Sequence, residues 1–168
     1  LAIQPDNIDF ENKKLVIDGT IHWRKDGNKV GFKDTTKTAS SYRTISLTTR
    51  SCDILRRVML ENKKAVQWEI MYVDRGFIFT SHRGNPLPLT SINRNIQIAA
   101  QNIGIEKHVT SHTMRHSHIS LLSQLGVSLR AIMERVGHTD HKTTLQIYSH
   151  VTEQMDKDMM NKLEKIRS

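Results

Sequence analysis

Residues 111–150 read SHTMRHSHISLLSQLGVSLRAIMERVGHTDHKTTLQIYSH. The stretch opens on His112-Thr113-Met114-Arg115-His116, passes Gly137-His138 and closes on Tyr148-Ser149-His150. Its punctuation is helical. Ser111 is read as the cap of a helix that runs through Ile119, Leu121 and Leu122 and stops at Gly126. Ser128 starts another, through Ile132 and Met133 to Gly137, and a short helix follows around residues 143–149. An arginine, several imidazoles and one phenol thus fall at fixed intervals along helices. Such a set suits attack on a phosphodiester without a metal, provided that Tyr148 is a nucleophile and not a packing residue.

Working outward, the helical reading continues upstream. Asn85-Pro86-Leu87-Pro88 is irregular, and Thr90 or Ser91 then caps a helix through Ile92, Ile96 and Ala99 that ends near Gly104. Gly76-Phe77-Ile78-Phe79-Thr80 reads as a short strand. Thr48 or Thr49 caps a helix whose apolar positions include Ile54, Leu55, Val58 and Met59. The first third reads as β. Lys14-Leu15-Val16-Ile17-Asp18 and Thr20-Ile21-His22-Trp23 are short β-prone runs, and Asp26-Gly27 is a turn signal. Tyr42-Arg43-Thr44-Ile45-Ser46-Leu47 alternates polar and apolar side chains, and the polar run from Lys33 to Ser41 before it reads as a loop. Residues 14–47 are therefore expected to form a small antiparallel sheet with Lys37 near a hairpin tip. At the other end, a last helix carries an apolar stripe at Val151, Met155, Met159, Leu163 and Ile166. Docking on its own domain is the default for that stripe, and docking on a neighbouring protomer is the alternative. The expected class is α+β: a mainly helical domain over residues 1–168 with a small three-stranded antiparallel sheet near its N-terminus.

Charge narrows the partners. The chain has 25 Lys+Arg against 17 Asp+Glu, a net +8. Residues 151–168 hold four bases (Lys157, Lys162, Lys165, Arg167) and four acids (Glu153, Asp156, Asp158, Glu164), so residues 1–150 carry the whole excess. A basic body favours a polyanion, and nucleic acid is the commonest. No run approaches the length of a membrane span. Leu1-Ala2-Ile3-Gln4-Pro5 lacks the basic start and apolar stretch of a signal peptide, and the first residue is not Met, so a fragment or processed product is expected. Cys52 is the only cysteine, which excludes an internal disulfide and a Cys-based zinc cage. The bacterial cytoplasm is the expected compartment.

His112 and Arg115 are three apart at a helix start and share a face. The helix N-terminus adds partial positive charge and N–H donors, and the Arg fork hydrogen-bonds two phosphoryl oxygens at once. His138 follows a glycine stop and so lies in a loop, free to point into a cleft. A tyrosine has a pKa near 10 and needs cations and a base around it to act as a nucleophile. Each of these residues also has an ordinary reading: surface Arg, helix-end His, packing Tyr. A metal site is the competing chemistry, since seven of the nine histidines fall between His108 and His150, and His112 and His116 stand four apart. Yet Thr113 occupies the place of the Glu in H-E-x-x-H, and residues 108–150 hold only Glu134 and Asp140 as acids. No metal and no cofactor are expected. A zinc-dependent hydrolase stays as a minor alternative, and a non-catalytic DNA-binding module as the runner-up.

The ordered series resembles the catalytic domain of the tyrosine recombinases, the phage-type integrases. That family shows an early Arg, a β-hairpin Lys, a later H-x-x-R, a His or Trp, then a Tyr. Here Lys37 stands in Lys37-Thr38-Ala39-Ser40-Ser41-Tyr42-Arg43-Thr44-Ile45, shifted by one residue from the commonest form. His112, Arg115, His138 and Tyr148 follow in family order, and Val136-Gly137-His138, Thr143-Thr144 and Tyr148-Ser149-His150 match its flanking pattern. The resemblance covers essentially the whole chain. It implies the fold of the DNA breaking-rejoining enzymes and site-specific recombination of duplex DNA, with integration or excision of a mobile element through a 3′-phosphotyrosyl link on Tyr148. It further implies a homo-oligomer, a tetramer on paired DNA sites in the full-length protein, with a separate N-terminal clamping domain.

Two positions depart from the family pattern. Thr113 stands where the family often has Asp, which alters the bonding around the site. The family's first Arg belongs in an Arg-x-Gly-Glu-type segment just before an apolar stretch like Leu1-Ala2-Ile3. Arg24, Arg43 and Arg50 lie in the wrong context to replace it. The resemblance therefore implies weak or no turnover for this chain alone.

Overall fold

A computed structural model describes residues 2–24, 30–35, 42–137 and 141–166. The protein is mostly helical with small antiparallel sheets, and its contacts divide it into two compact units, Leu1–Ile92 and Asn93–Ser168.

The first unit begins with a 3-10 turn, Pro5–Asn7, followed by strands β1 (Ile8–Asp9), β2 (Lys14–Ile17), β3 (Gly19–Trp23), β4 (Gly31–Thr35) and β5 (Arg43–Ser46). The expected three-stranded antiparallel sheet is present with a different membership. It is β1-β2-β5, while β3 pairs with β4 in a separate two-stranded ribbon. The polar run from Lys33 reads as loop in sequence, yet Gly31–Thr35 is a strand. Its burial alternates: Gly31 and Lys33 turn inward, and Phe32 and Asp34 turn to solvent. A ribbon with one wet face accepts polar residues that look like loop in sequence. Lys37, expected near the hairpin tip, lies outside the described residues.

Helix α1 (Thr49–Trp68) starts where the sequence places it: the Thr48 hydroxyl accepts the Ser51 N–H at 3.1 Å. Its inward face buries Cys52 and Leu55. Residues 76–80 do not form the expected strand, and only an isolated bridge joins Thr80 to Pro86. The carbonyls of Phe77 and Ile78 instead accept the Asn62 side-chain amide, at 3.3 and 2.7 Å. A side chain of α1 thus does what a neighbouring strand would do.

Helix α2 (Leu89–Asn102) leads into the second unit, which contains α3 (Ser111–Gln124), α4 (Leu129–Val136) and α5 (His141–Ile166). Ser128 caps α4 as expected. The cap of α3 is Thr110, one residue before the expected Ser111. Thr110 and Thr113 bond reciprocally, each backbone N–H to the other's hydroxyl, at 3.2 and 3.4 Å. The two expected C-terminal helices are one, because residues 141–166 contain no Gly or Pro to end the first. Packing of α3, α4 and α5 buries Ile119, Ile132 and Val136, with Leu122, Val127, Ile147 and Tyr148 against them. Among the described residues no helix is long and apolar enough to cross a membrane.

Candidate active site

The start of α3 is partly satisfied before any ligand arrives. The Asn93 side-chain oxygen takes the Ser111 N–H at 2.9 Å, and Thr110 takes that of Thr113. The His112 N–H between them stays uncapped among the described residues, and its imidazole is exposed. Thr113, at the family's Asp position, belongs to this cap. An anion here meets a helix N-terminus with one donor left, next to a histidine and one turn from Arg115.

Arg115 reaches across to the end of α4. Its Nη1 donates to the Val136 carbonyl at 2.6 Å and its Nη2 to the Gly137 carbonyl at 3.3 Å. A guanidinium has five N–H donors, so the two spent here leave three for a ligand. The chain can turn at this point because Gly137 sits at φ +89°, where a side chain is strained. The next residue is His138, which lies outside the described residues. Arg115 therefore holds the residue that immediately precedes that histidine.

Tyr148 lies on α5, half-buried, with its ring against the cluster of Ile119, Ile132 and Val136. The Tyr148 carbonyl accepts the Thr152 hydroxyl at 3.0 Å, while the phenol oxygen has no hydrogen-bond partner among the described residues. Arg115 thus holds the carbonyls at the end of α4, and Tyr148 packs on the cluster to which Ile132 and Val136 of that helix belong. His112, Arg115 and Tyr148 all fall in the second unit.

Sequence reasoning missed a link behind this site. His118 and Arg135 join α3 to α4: Arg135 Nε donates to His118 Nε2 at 3.1 Å. The imidazole is therefore a neutral acceptor. Burial holds its pKa below the usual 6.5, and the Arg135 charge adds to that. In the first unit Lys33 pairs with Asp18 at 2.8 Å. Burial pushes the Asp18 carboxyl up, but hydrogen bonds from Lys33 and Asn7 and the Lys33 charge outweigh it and hold the group below its ordinary value. Among the described residues no group of three or more His, Cys, Asp or Glu is arranged to hold a metal.

Comparison with known proteins gives the chain its relatives. A family model described as the phage integrase family matches residues 1–155. The integrase of Staphylococcus phage L54a is 52% identical over 166 residues, covering 99% of this chain and 47% of that protein. The probable integrase of prophage ps2 of Lactococcus lactis is 39% identical over 168 residues, covering 98% of this chain and 44% of the relative. Among solved structures, the Tn1549 transposon integrase in complex with transposon right-end DNA superposes with a TM-score of 0.72 at 20% identity, over 97% of this chain and 53% of that one. The XerA recombinase gives 0.69 at 20% identity, over 94% and 50%. At such identity the structural likeness establishes the fold. The chain spans about half the length of the curated relatives it matches.

Proposed function

The chain belongs to the phage integrase family, and on that premise we propose that it cuts and rejoins duplex DNA at specific sites through Tyr148. The Tyr148 oxygen attacks the scissile phosphorus and forms a 3′-phosphotyrosyl link as the bond to the 5′-oxygen breaks. A 5′-hydroxyl of a partner strand later reverses the step. Each new phosphoester bond replaces one of equal energy, so the cycle needs no nucleotide. Arg115 stabilises the charge that builds on the phosphoryl oxygens, and pre-aimed cations are usually the largest catalytic term. His112 acts as the base for the phenol or hydrogen-bonds the phosphoryl group. His138 bonds a non-bridging oxygen. Lys37 protonates the leaving oxygen, help typically worth about 10²–10⁴-fold. Residues 1–168 serve together as the catalytic domain, and the full-length protein assembles as a tetramer on paired sites, with the exposed apolar stripe of α5 docking on a neighbour.

The observation that carries this reading is the order Lys37, His112, Arg115, His138, Tyr148 in a basic chain. The bond of Arg115 to Val136, and the packing of Tyr148 on the cluster that contains Val136, support it. The test is a nicked duplex that traps the covalent intermediate. The full-length protein should form the adduct, Tyr148→Phe should form none, and chelation should leave the yield unchanged. A surviving Tyr148→Phe adduct would remove Tyr148 as the nucleophile.

A further inference from the structure

We propose that Asn93 and Gln97 of α2 are positioning residues for His112: they pin the backbone that delivers it to the start of α3, and so set where its imidazole stands in the cleavage step. The inference rests on the reading of His112 as a residue of that step. The imidazole is exposed and has no hydrogen-bond partner among the described residues. Its place is therefore fixed through its backbone, and the backbone before it is held from α2.

The hold is a match of spacings. Asn93 and Gln97 stand four apart on α2, so they share a face. Four helical residues advance about 6 Å. Two residues of extended chain advance about 6.6 Å, and Thr110 is extended, at φ −133° and ψ 176°. Alternate N–H groups of the incoming segment therefore meet successive amides on that face. The Gln97 side-chain oxygen accepts the Val109 N–H at 2.7 Å, and the Asn93 side-chain oxygen accepts the Ser111 N–H at 2.9 Å. The N–H between them, of Thr110, goes instead to the Thr113 hydroxyl at 3.2 Å. The chain thus runs back along α2 for three residues before it turns into α3.

These bonds sit where a loss is felt. Val109 is only 8% exposed, so without Gln97 its N–H is a buried donor left unpaired. Ser111 directly precedes His112, so the Asn93 bond acts one peptide away from the residue that it places. Asn93 and Gln97 are both half-buried, while Arg94 and Asn95 between them are exposed. The N–H groups of Thr113 and Met114 go to the Thr110 hydroxyl and carbonyl. His112 is the residue of 109–114 whose N–H stays free among the described residues, and it stays where its neighbours' bonds put it.

A tie that only stabilises the fold and one that positions His112 differ once the imidazole is gone. A positioning bond then has nothing left to position, whereas a stabilising bond costs the same in either background.

The experiment is a double-mutant cycle on the full-length protein, read as the rate of adduct formation on the nicked duplex at saturating protein. His112→Ala should slow the rate by about 10²–10⁴-fold, the usual worth of a proton-transfer group. Asn93→Ala and Gln97→Ala should each slow it by roughly tenfold, within the ~10²-fold that an ångström of misplacement costs. Added to His112→Ala, neither should slow it by more than about twofold further. Affinity for the same duplex, measured by fluorescence anisotropy, should stay unchanged, which puts the loss in the chemical step. Gln97→Ala acts two residues further from His112 than Asn93→Ala, and it carries the test alone if Asn93→Ala does not fold. An equal cost in both backgrounds, no cost at all, or a loss wholly in affinity overturns the proposal. If His112→Ala itself runs at the unmodified rate, the reading of His112 fails and the positioning role falls with it. If His112→Ala is slow while the α2 substitutions add their full cost to it, only the positioning role falls.

Discussion

Arg115 has an observed duty, holding the end of α4, and a proposed one at the phosphate, and the bond count makes them compatible. Two of its N–H groups hold the Val136 and Gly137 carbonyls, and three remain for phosphoryl oxygens. Lysine keeps the charge but not the fork, so it cannot span two carbonyls and a phosphate. Arg115→Lys should therefore lose on both counts. Adduct formation on the nicked duplex should fall by roughly 10²–10³, the usual cost of one preorganised donor in a transition state. Urea unfolding should show a loss of about 1–3 kcal/mol, because the end of α4 gives up charge-assisted hydrogen bonds. A lysine variant with an unchanged adduct rate would take Arg115 out of the chemistry and leave it only as a tie between helices.

At the scale of elements, α3 and α4 are joined twice, by Arg115 and by the His118–Arg135 bond. The second tie responds to pH. His118 has a depressed pKa in the folded chain, so below about 6.5 the unfolded chain takes up a proton that the folded chain resists. The His118 share of stability is thus present above that value and is lost as pH falls toward the folded pKa. Thermal midpoints at pH 7.5 and 5.5 test the sign. His118→Gln keeps an acceptor for Arg135 without the titration, and it should lose less on acidification than the unmodified chain. An equal loss would assign the pH dependence to other groups. How much of these elements was legible in the sequence depends on how local their causes are. The starts of α1 and α4 were readable because one Thr or Ser bonds an N–H three residues on. The start of α3 was misplaced by one residue because its capping box uses Thr113 in place of the usual Glu. The membership of the sheets was not readable, since β4 is polar and its partner is chosen by pairing across the ribbon. The order of His112, Arg115 and Tyr148 was legible as a pattern. The carbonyl bonds of Arg115 were not, because they join residues 21 and 22 positions apart.

At the scale of the whole molecule, the charge is carried by one part of the chain and the exposed apolar stripe by another. Residues 1–150 hold the entire +8. Every residue from 153 to 166 is exposed, with Met159 and Leu163 about half accessible on one stripe. A helix with that face bare to water is suited to a partner surface, and its balanced charge is not suited to phosphates. Truncation after Thr152 separates the two roles. It removes Glu153, Asp156, Asp158 and Glu164 together with Lys157, Lys162, Lys165 and Arg167, four charges of each sign. It keeps the Thr152 hydroxyl on the Tyr148 carbonyl. Binding to a single DNA site weakens with salt at a slope of about 0.9 per phosphate neutralised. That slope, read by fluorescence anisotropy, should be the same for the truncated and the intact protein, because no phosphate contact is lost. Assembly of several protomers on paired sites should be lost, because the stripe proposed to dock between them is gone. A shallower slope after truncation would mean that the tail's lysines touch DNA after all, and retained assembly would mean that the stripe serves its own chain.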